Sequence, residues 1–204
     1  MKRSLFSMMM CLICIILCAC GIDDTTGVPS MSPSKPMEIA SEGLVYEMNS
    51  DGTYTVVGLG SCTDLDVRVP TYHEGRKVTA IGAVAFYGRD ALTSITAPEG
   101  ALSIGYAAFS SCSSLTRATL PDSVTSIGHD TFYHCDSLSS IMVPASVQSI
   151  GYTAFYRCSL AESHFGGTVE QWEALDKSDS WNRGTRGMVV HCSNGDLREE
   201  ASDQ

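Results

Sequence analysis

A chain of 204 residues is long enough for one sizeable domain, and its hydrophobic content of 44% excludes a wholly disordered acidic protein. The formal net charge is −10, and the stretch from Met1 to Ala19 holds two basic and no acidic side chains, so the remainder carries −12. This charge serves solubility, and it repels phosphate backbones, so nucleic acid is not expected as a partner.

Residues 1–19 predict a secretory signal peptide. Lys2 and Arg3 precede an uncharged apolar run that ends in small residues. The run is shorter than the ~20 apolar residues of a membrane-spanning helix. The following junction, LCACG, resembles a bacterial lipobox. The resemblance implies that Cys20 is lipidated and anchors the protein to a membrane. An ordinary cleaved signal with an extra cysteine is the alternative.

Residues 20–40 are predicted to form a flexible tether. Three prolines lie among small polar residues there, so the segment has no apolar face to pack. Asp23 and Asp24 follow the predicted anchor closely and resemble the surface-export signal of some outer-membrane lipoproteins. The tether would then present the next domain outward from the cell envelope.

Residues 41–77 predict an N-terminal cap with a hairpin and a degenerate first repeat. An Asp51-Gly52 turn between two stretches of alternating hydrophobicity is a good hairpin signal. Val67 and Val69, followed by Pro70, fit a repeat strand whose remaining motif has degenerated.

Residues 78–165 contain four related phrases: AIGAVAFYGRDAL, SIGYAAFSSCSSL, SIGHDTFYHCDSL and SIGYTAFYRCSL. An Ile-Gly pair and a phenylalanine recur in them at a constant interval, as does a proline outside them. The period of 23 falls within the leucine-rich repeat range. Stacked repeats of this kind bury a continuous core that no single repeat can build. The equivalent positions are Ile81, Ile104, Ile127 and Ile150, then Phe86, Phe109, Phe132 and Phe155, and Pro98, Pro121 and Pro144.

Each repeat is expected to form one coil with two extended segments. An L-x-x-L-x-L-like strand ends at the proline, and a second short arm runs into the Ile-Gly pair. We expect the glycine to permit a tight bend. A short helical or irregular turn should then direct the phenylalanine into the core. The four phenyl rings should therefore align along one axis.

The combination of I-G-x-x-A-F-x-x-C, L-x-x-L-x-L and proline resembles the BspA-type leucine-rich repeat family of bacterial surface proteins, from about Gly43 to Leu197. The resemblance implies an α/β-type repeat solenoid. This would be a short right-handed coil of about five turns, mainly β-strands with short helical or irregular turns, capped at both ends. Two departures are that Arg89 replaces the repeat cysteine and that the fourth repeat is one residue short before Leu160.

Residues 166–197 resemble the closing segment of that family and predict a C-terminal cap. The motif TVEQ, which begins at Thr168, fits a capping box, so a short helix should carry Trp172 and Leu175 inward. The strand MVVHC should complete the sheet ahead of an Asn-Gly turn. Residues 198–204 are predicted to be an acidic tail.

The third repeat holds His129, His134 and Cys135 within a few positions, together with two aspartates. The other repeats place unrelated residues at the two histidine positions, so these residues are expected to be scaffold. A zinc site built from them would lack a convincing fourth ligand. The sequence also shows no carboxylate pair, catalytic triad or phosphate-binding loop. We therefore predict no catalytic residue, no metal and no cofactor.

Five cysteines follow Cys20, and an odd number cannot all pair within one chain. Adjacent strands lie ~5 Å apart, so a bridge between coils is possible by distance. Parallel stacked side chains suit the disulfide dihedral poorly, and we expect buried thiols at the three repeat positions. The five are Cys62, Cys112, Cys135, Cys158 and Cys192.

Strand alternation predicts which side chains point away from the core. In leucine-rich repeats of the resembled type, that concave sheet is the usual place for partner contact, and a simply solvated face is the alternative. The predicted face is Ser94, Thr96, Arg117, Thr119, Ser140, Met142, Glu162 and His164. A second row, Tyr87, Tyr133 and Tyr156, interrupted by Ser110, could stack on sugars or proteins, or could cover the flank of the solenoid.

The family resemblance implies a surface-anchored binding protein that mediates adhesion to host proteins, host cells or other bacteria. The partner would be a protein or a glycan on a cell or matrix surface. A structural or accessory lipoprotein of the cell envelope without a host ligand is the alternative.

Overall fold

The computed structural model describes residues 39–185 and 187–201. The predicted signal peptide at 1–19, the predicted lipidation at Cys20 and nearly all of the predicted tether lie outside these residues. Within the described ranges, no helix combines the length and the hydropathy needed to cross a membrane.

Short strands make up most of the regular structure of the described residues, and one brief helix lies near the C-terminal end. The segments that carry the phenylalanines are irregular turns rather than helices. In chain order the elements are β1 (Val45–Met48), β2 (Tyr54–Gly58), β3 (Asp66–Arg68), β4 (Tyr72–His73), β5 (Arg76–Ile81), β6 (Ser94–Thr96), β7 (Ser103–Ile104), β8 (Arg117–Thr119), β9 (Ser126–Ile127), β10 (Ser140–Val143), β11 (Ser149–Ile150), β12 (Glu162–Phe165), α1 (Val169–Glu173), β13 (Asp176–Lys177), β14 (Met188–Cys192) and β15 (Gly195–Glu199).

The strands of successive coils lie side by side along two sides of the solenoid. The long sheet has the order β1-β2-β5-β7-β9-β11-β13, with β4 attached to β5. The opposite side holds β3-β6-β8 and then β10-β12-β14-β15, and β10 follows directly on β8. Ile104 pairs in register with Ile81 and with Ile127 in parallel strands. The constant period of the repeat therefore places equivalent side chains next to one another.

The solenoid has about six turns, one more than the sequence indicates. Six consecutive strands of the long sheet, from β2 to β13, are parallel. The outermost two, β2 and β13, come from segments that carry no Ile-Gly pair. The caps thus supply coil strands of their own, which the repeat motif does not reveal.

The four repeat phenylalanines form one continuous stack in the core. Ring centroids of Phe86, Phe109, Phe132 and Phe155 lie 5.4, 5.3 and 5.4 Å apart in order, with interplanar angles of at most 16°. All four side chains are buried, and nearly parallel rings at this separation are offset-stacked. Trp181 of the closing segment meets Phe155 edge-on at 6.0 Å and ends the stack. The expected alignment along a common axis is confirmed.

The glycine of the Ile-Gly pair serves close packing between coils, not the tight bend expected from the sequence. Gly105, Gly128 and Gly151 all lie outside the positive-φ residues. A Cβ on Gly151 would lie 2.5 Å from the backbone nitrogen of His129 in the preceding coil. A Cβ on Gly105 would lie 2.7 Å from the backbone of the coil before it. Only a residue without a side chain lets consecutive backbones approach this closely.

The third side of the solenoid is made of turns that contain non-glycine residues in the left-handed region. Val84, Ala107, Asp130 and Thr153 occupy equivalent positions with φ between 49° and 55°. The backbone N–H groups of the first three donate to the next coil, as the Val84 N–H does to Tyr106 O at 2.8 Å. These bonds between coils hold the three turns in a conformation that costs an L-residue roughly 1–2 kcal/mol.

Replacing Val84 with asparagine should raise the free energy of unfolding by about 1 kcal/mol. A β-branched side chain is strained at φ 52°, whereas asparagine tolerates this region, and the backbone hydrogen bond is kept. Urea denaturation checks the change. Leu102→Asn is the matched control because Leu102 is exposed to a similar degree, 54% against 52%, and does not have a positive φ. An equal increase in the free energy of unfolding in both variants would show that Val84 is not strained.

The N-terminal cap contains two hairpins. β1 and β2 form the antiparallel hairpin predicted at Asp51-Gly52, and Asp51 Oδ1 accepts the Thr53 N–H at 2.9 Å. The second hairpin, β4 with β5, turns at Glu74 and Gly75, which both have positive φ. This hairpin accounts for the extra residues between the degenerate repeat and Ile81.

The C-terminal cap covers the last apolar layer with two tryptophans. Thr168 caps α1, and the capping box with Gln171 is present as predicted. Trp172 is fully buried and meets Trp181 edge-on at 5.7 Å, while Leu175 is half-buried. Trp172 Nε1 donates to Glu199 Oε1 at 2.6 Å. Glu199 ends β15, so ordered structure continues past the predicted cap boundary at Leu197.

Candidate partner-binding surface

The eight side chains of the predicted partner-binding face point outward from β6, β8, β10 and β12. The inward positions between them, such as Ile95 and Ile141, are buried, so each strand alternates as expected. We call this surface the strand face. Its residues are half-exposed on β6 and exposed on the other three strands; they are Ser94, Thr96, Arg117, Thr119, Ser140, Met142, Glu162 and His164.

The strand face continues beyond the predicted residues at both ends. Asp66 and Arg68 on β3 pair in register with the outward residues of β6. At the other end, His191 on β14 pairs with His164, and Asp196 on β15 pairs with His191. These positions belong to the caps, where the motif has degenerated. The alternation of apolar and polar residues around Val67 and within MVVHC could have identified these outward positions from the sequence.

The N-terminal end of the strand face is tied together by polar contacts. Ser94 Oγ donates a hydrogen bond to Asp66 Oδ1, and an Arg68 guanidinium nitrogen lies 3.4 Å from the other oxygen of Asp66. The hydrogen bond from Ser94, followed by the charges of Arg68 and Arg117, holds the pKa of Asp66 below its ordinary value. Asp66 is therefore an anion at neutral pH, and its carboxylate already interacts with Ser94 and Arg68 of the same chain.

The C-terminal end carries a stacked histidine pair. The rings of His164 and His191 lie 5.1 Å apart at 28°, and His191 Nδ1 is 2.9 Å from Asp196 Oδ1. In the middle of the face, by contrast, the side chains of Arg117, Ser140 and Glu162 form no hydrogen bond or ion pair with any described residue. Arg117 acts on Asp66 only through its charge, so the polar groups in the centre of the strand face are available for hydrogen bonds to an external partner.

The residues that suggested a metal or a nucleophile take separate structural roles. His129 Nδ1 accepts the Tyr152 N–H at 2.8 Å, while His134 lies 3.7 Å from Asp136. Cys135 is buried, and its thiol donates to Phe109 O at 3.1 Å. In the part of the chain that the structure describes, no cluster of three or more histidine, cysteine and acidic side chains could hold a metal ion.

The repeat cysteines form a buried column of free thiols, as the sequence predicted. The thiols of Cys112 and Cys158 donate to Phe86 O and Phe132 O at 3.1 and 3.0 Å, so each reaches the coil before its own. Burial raises the pKa of Cys112 to about 11 and raises the pKa values of Cys135 and Cys158 as well. These thiols are neutral at physiological pH and lack nucleophilic character.

The column should resist alkylation in the folded protein. At pH 8, iodoacetamide should leave Cys112, Cys135 and Cys158 unmodified while it labels half-buried Cys62, and unfolding in urea should expose them all. Peptide mass spectrometry reads out each site. Because the folded-state pKa of Cys112 exceeds its ordinary value of 9.0, its contribution to stability is complete below pH 9 and is lost as the pH rises toward about 11. Rapid native labelling of the column would contradict its burial.

The tyrosine row is divided between two environments. Tyr133 and Tyr156 stack on each other with centroids 4.8 Å apart and nearly parallel planes, so they cover the flank of the solenoid. Ser110, which interrupts the row, is buried, and Tyr87 is exposed. The row therefore does not present a continuous aromatic surface.

A cavity of about 680 Å³ lies between the fourth repeat and the closing segment. It borders the last coil at Gly184, which lies beside Arg157 because the Arg157 N–H donates to Arg183 O at 3.1 Å. No sequence signal predicted it, because this coil lacks the motif. Arg198 at its rim is paired with Glu200 at 3.2 Å. The lining includes Asp136, Arg157, Ser159 and Arg198, so charges of both signs meet there.

Residues 71–175 match the family described as BspA type leucine rich repeat region, in six copies. Several solved structures are similar. A T. pallidum leucine-rich repeat protein shares 23% identity over 76% of this chain and 81% of its own, with a TM-score of 0.64. A Bacteroides ovatus leucine-rich repeat protein shares 28% over 76% of this chain and 41% of its own, at 0.60. One from Bacteroides capillosus shares 28% over 63% and 98%, at 0.56. No match was found among curated proteins.

Proposed function

Because the chain belongs to the BspA-type leucine-rich repeat family, we propose that it is a surface-anchored binding module that captures a protein or glycan partner on its strand face. The binding is non-covalent, and the partner lies on a host cell, a host matrix or another bacterium. The observation that carries the proposal is the centre of the strand face. Arg117, Ser140 and Glu162 are exposed there and make no hydrogen bond or ion pair with other described residues.

Rigidity supports this assignment. The strand face stands on a solenoid whose inward positions form one continuous buried core, so its side chains are held at fixed spacings. A partner therefore does not have to order the backbone on binding, which reduces the entropic cost of association. Small polar residues with isolated charges of both signs favour a shallow interface built from hydrogen bonds.

The sequence features outside the described residues supply the anchoring. Lipidation at Cys20 would hold the protein in the cell envelope, and the tether of residues 20–40 would present the solenoid outward. One small, shallow interface gives modest affinity, but many copies on one cell bind through avidity. Protease shaving of intact cells tests the exposure: failure to release the solenoid would favour a structural role within the envelope.

The strand face should lose its partner when its charge pattern is changed. Arg117→Glu and His164→Ala should each weaken binding about tenfold or more, and each should change the free energy of unfolding by no more than about 0.5 kcal/mol, because both side chains are exposed. Quantitative pull-down of matrix proteins and glycans measures the loss. Gln148→Ala, an exposed substitution beside the long sheet, is the matched control. Equal retention by all three variants would rule out the strand face.

A further inference from the structure

The outer side of the long sheet carries a regular strip that is distinct from the strand face. Three serines, Ser103, Ser126 and Ser149, are partners in adjacent parallel strands and are half-buried. Their hydroxyl groups make no hydrogen bond with another described residue. Three unpaired hydroxyls thus recur along the axis at intervals of one coil.

Aromatic side chains follow these serines three positions later in each of the three coils. Tyr106 and Tyr152 occupy the same position two coils apart and are 55% and 47% exposed. His129 lies between them in the intervening coil, and the hydrogen bond from the Tyr152 N–H fixes its ring. Isolated exposed tyrosines are common on protein surfaces, but two in one column, beside a row of free hydroxyls, form an ordered amphipathic surface. We call these residues the serine–tyrosine strip: Ser103, Ser126, Ser149, Tyr106, His129 and Tyr152.

The strip itself carries no formal charge, and its C-terminal end is bounded by exposed Asp176, which pairs with Ser149 in the next strand. Glycines Gly105, Gly128 and Gly151 separate the serine row from the aromatic row, so only backbone lies between them. Residues 103–106, 126–129 and 149–152 contain no lysine, arginine, aspartate or glutamate, although the whole chain has a net charge of −10. A polyanionic ligand would be repelled by the protein as a whole and by Asp176, and a cationic one would find no carboxylate among the six residues of the strip.

We propose that the serine–tyrosine strip binds a neutral, linear, β-linked glycan that runs along the solenoid axis. The C–H faces of pyranose rings stack on aromatic side chains, and sugar hydroxyls pair with serine hydroxyls. Paired strands such as those that carry the serines lie ~4.8 Å apart, and the phenylalanine rings of successive coils lie 5.3–5.4 Å apart. The length of one sugar unit in such a chain is close to both spacings. Successive β-1,4-linked sugars alternate in orientation, so the same face returns at every second unit. Tyr106 and Tyr152 recur at every second coil.

This inference goes beyond the proposed function, since it concerns another face and does not depend on the strand face. The test titrates the full chain with cello-, xylo- and chito-hexaose and with the corresponding disaccharides by isothermal calorimetry. We expect one of the three hexasaccharides to bind. The corresponding disaccharide should bind at least about tenfold more weakly, because a disaccharide is too short to reach both tyrosines. Arg117→Glu on the strand face should leave this binding unchanged.

Substitutions in the strip distinguish a specific role of the tyrosines from a general effect of changing an exposed residue. Tyr106→Ala and Tyr152→Ala should each lower the affinity about tenfold, and Tyr152→Phe should retain it because the ring remains. Tyr72→Ala is the matched control, since Tyr72 is 57% exposed and lies on β4, outside the strip. Circular dichroism melting confirms that the variants are folded.

The proposal is overturned if none of the neutral hexasaccharides binds, or if the Tyr106→Ala/Tyr152→Ala double variant binds as well as the native protein. Tighter binding of an anionic polysaccharide would also overturn it. So would a protein partner that is lost on Tyr106→Ala while the glycans remain unbound. A failure of glycan binding alone would leave the strand-face proposal standing, because that proposal is tested at Arg117 and His164.

Discussion

Replacing Phe132 with alanine should lower the free energy of unfolding by about 3 to 5 kcal/mol, the cost of removing a buried phenyl ring together with the cavity left behind. Phe132 stacks on Phe109 on one side and on Phe155 on the other, at 5.3 and 5.4 Å. Its loss therefore deprives two neighbouring coils of contact. The stack cannot easily collapse, because backbone hydrogen bonds between coils fix the spacing: the Phe132 N–H donates to Ala154 O at 2.8 Å.

Equilibrium denaturation in urea, followed by circular dichroism, measures this loss. Tyr87→Ala is the matched control: it removes an aromatic ring one position after Phe86, but the ring is exposed and should cost less than about 0.5 kcal/mol. If Phe132→Ala unfolded at the same urea concentration as the Tyr87 variant, the stacked rings would not be the source of stability.

The second large effect should come from adding a single methyl group. Gly151→Ala should destabilise the protein by about 3 kcal/mol, at the upper end for overpacking, because the new Cβ meets backbone atoms that cannot move aside. The nearest are His129 N at 2.5 Å and Gly128 C at 2.6 Å. To relieve these contacts, two coils would have to separate, which would stretch the neighbouring hydrogen bond from Gly151 N–H to Ile127 O.

Gly58→Ala provides the control for Gly151→Ala. Gly58 lies in β2 of the same sheet, and its Cβ would have ordinary contacts, the nearest being Ala85 O at 3.8 Å. Its stability should change by less than about 0.5 kcal/mol. Thermal melting of both variants measures the difference in stability. Equal melting temperatures would show that the spacing between coils does not depend on the absence of a side chain at Gly151.

The repeat made most of the solenoid predictable. Its constant period determines which side chains become neighbours, so the phenylalanine stack, the buried cysteines and the outward strand residues all followed from the motif. The capping box at Thr168 was visible for a similar reason, because it depends only on local spacing. Periodic and local interactions leave a direct trace in the sequence.

Contacts that depend on the path of the backbone were not predictable in this way. The role of Gly151 is set by the distance to the preceding coil, and the same residue type would also suit a bend. Trp181 ends the phenylalanine stack from a segment that has no Ile-Gly pair, so no motif marked it. The hydroxyls of the serine–tyrosine strip stood out only when the hydrogen bonds of their neighbours were known.

The β4–β5 hairpin shows where this architecture tolerates changes in length. Its extra residues project at a corner between two coil strands, and β5 still pairs in parallel with both β2 and β7. Residues added within a coil side would instead shift every later side chain out of its column. Evolution can therefore enlarge such a protein by duplicating whole coils or by extending corners, and the two routes leave the interior unchanged.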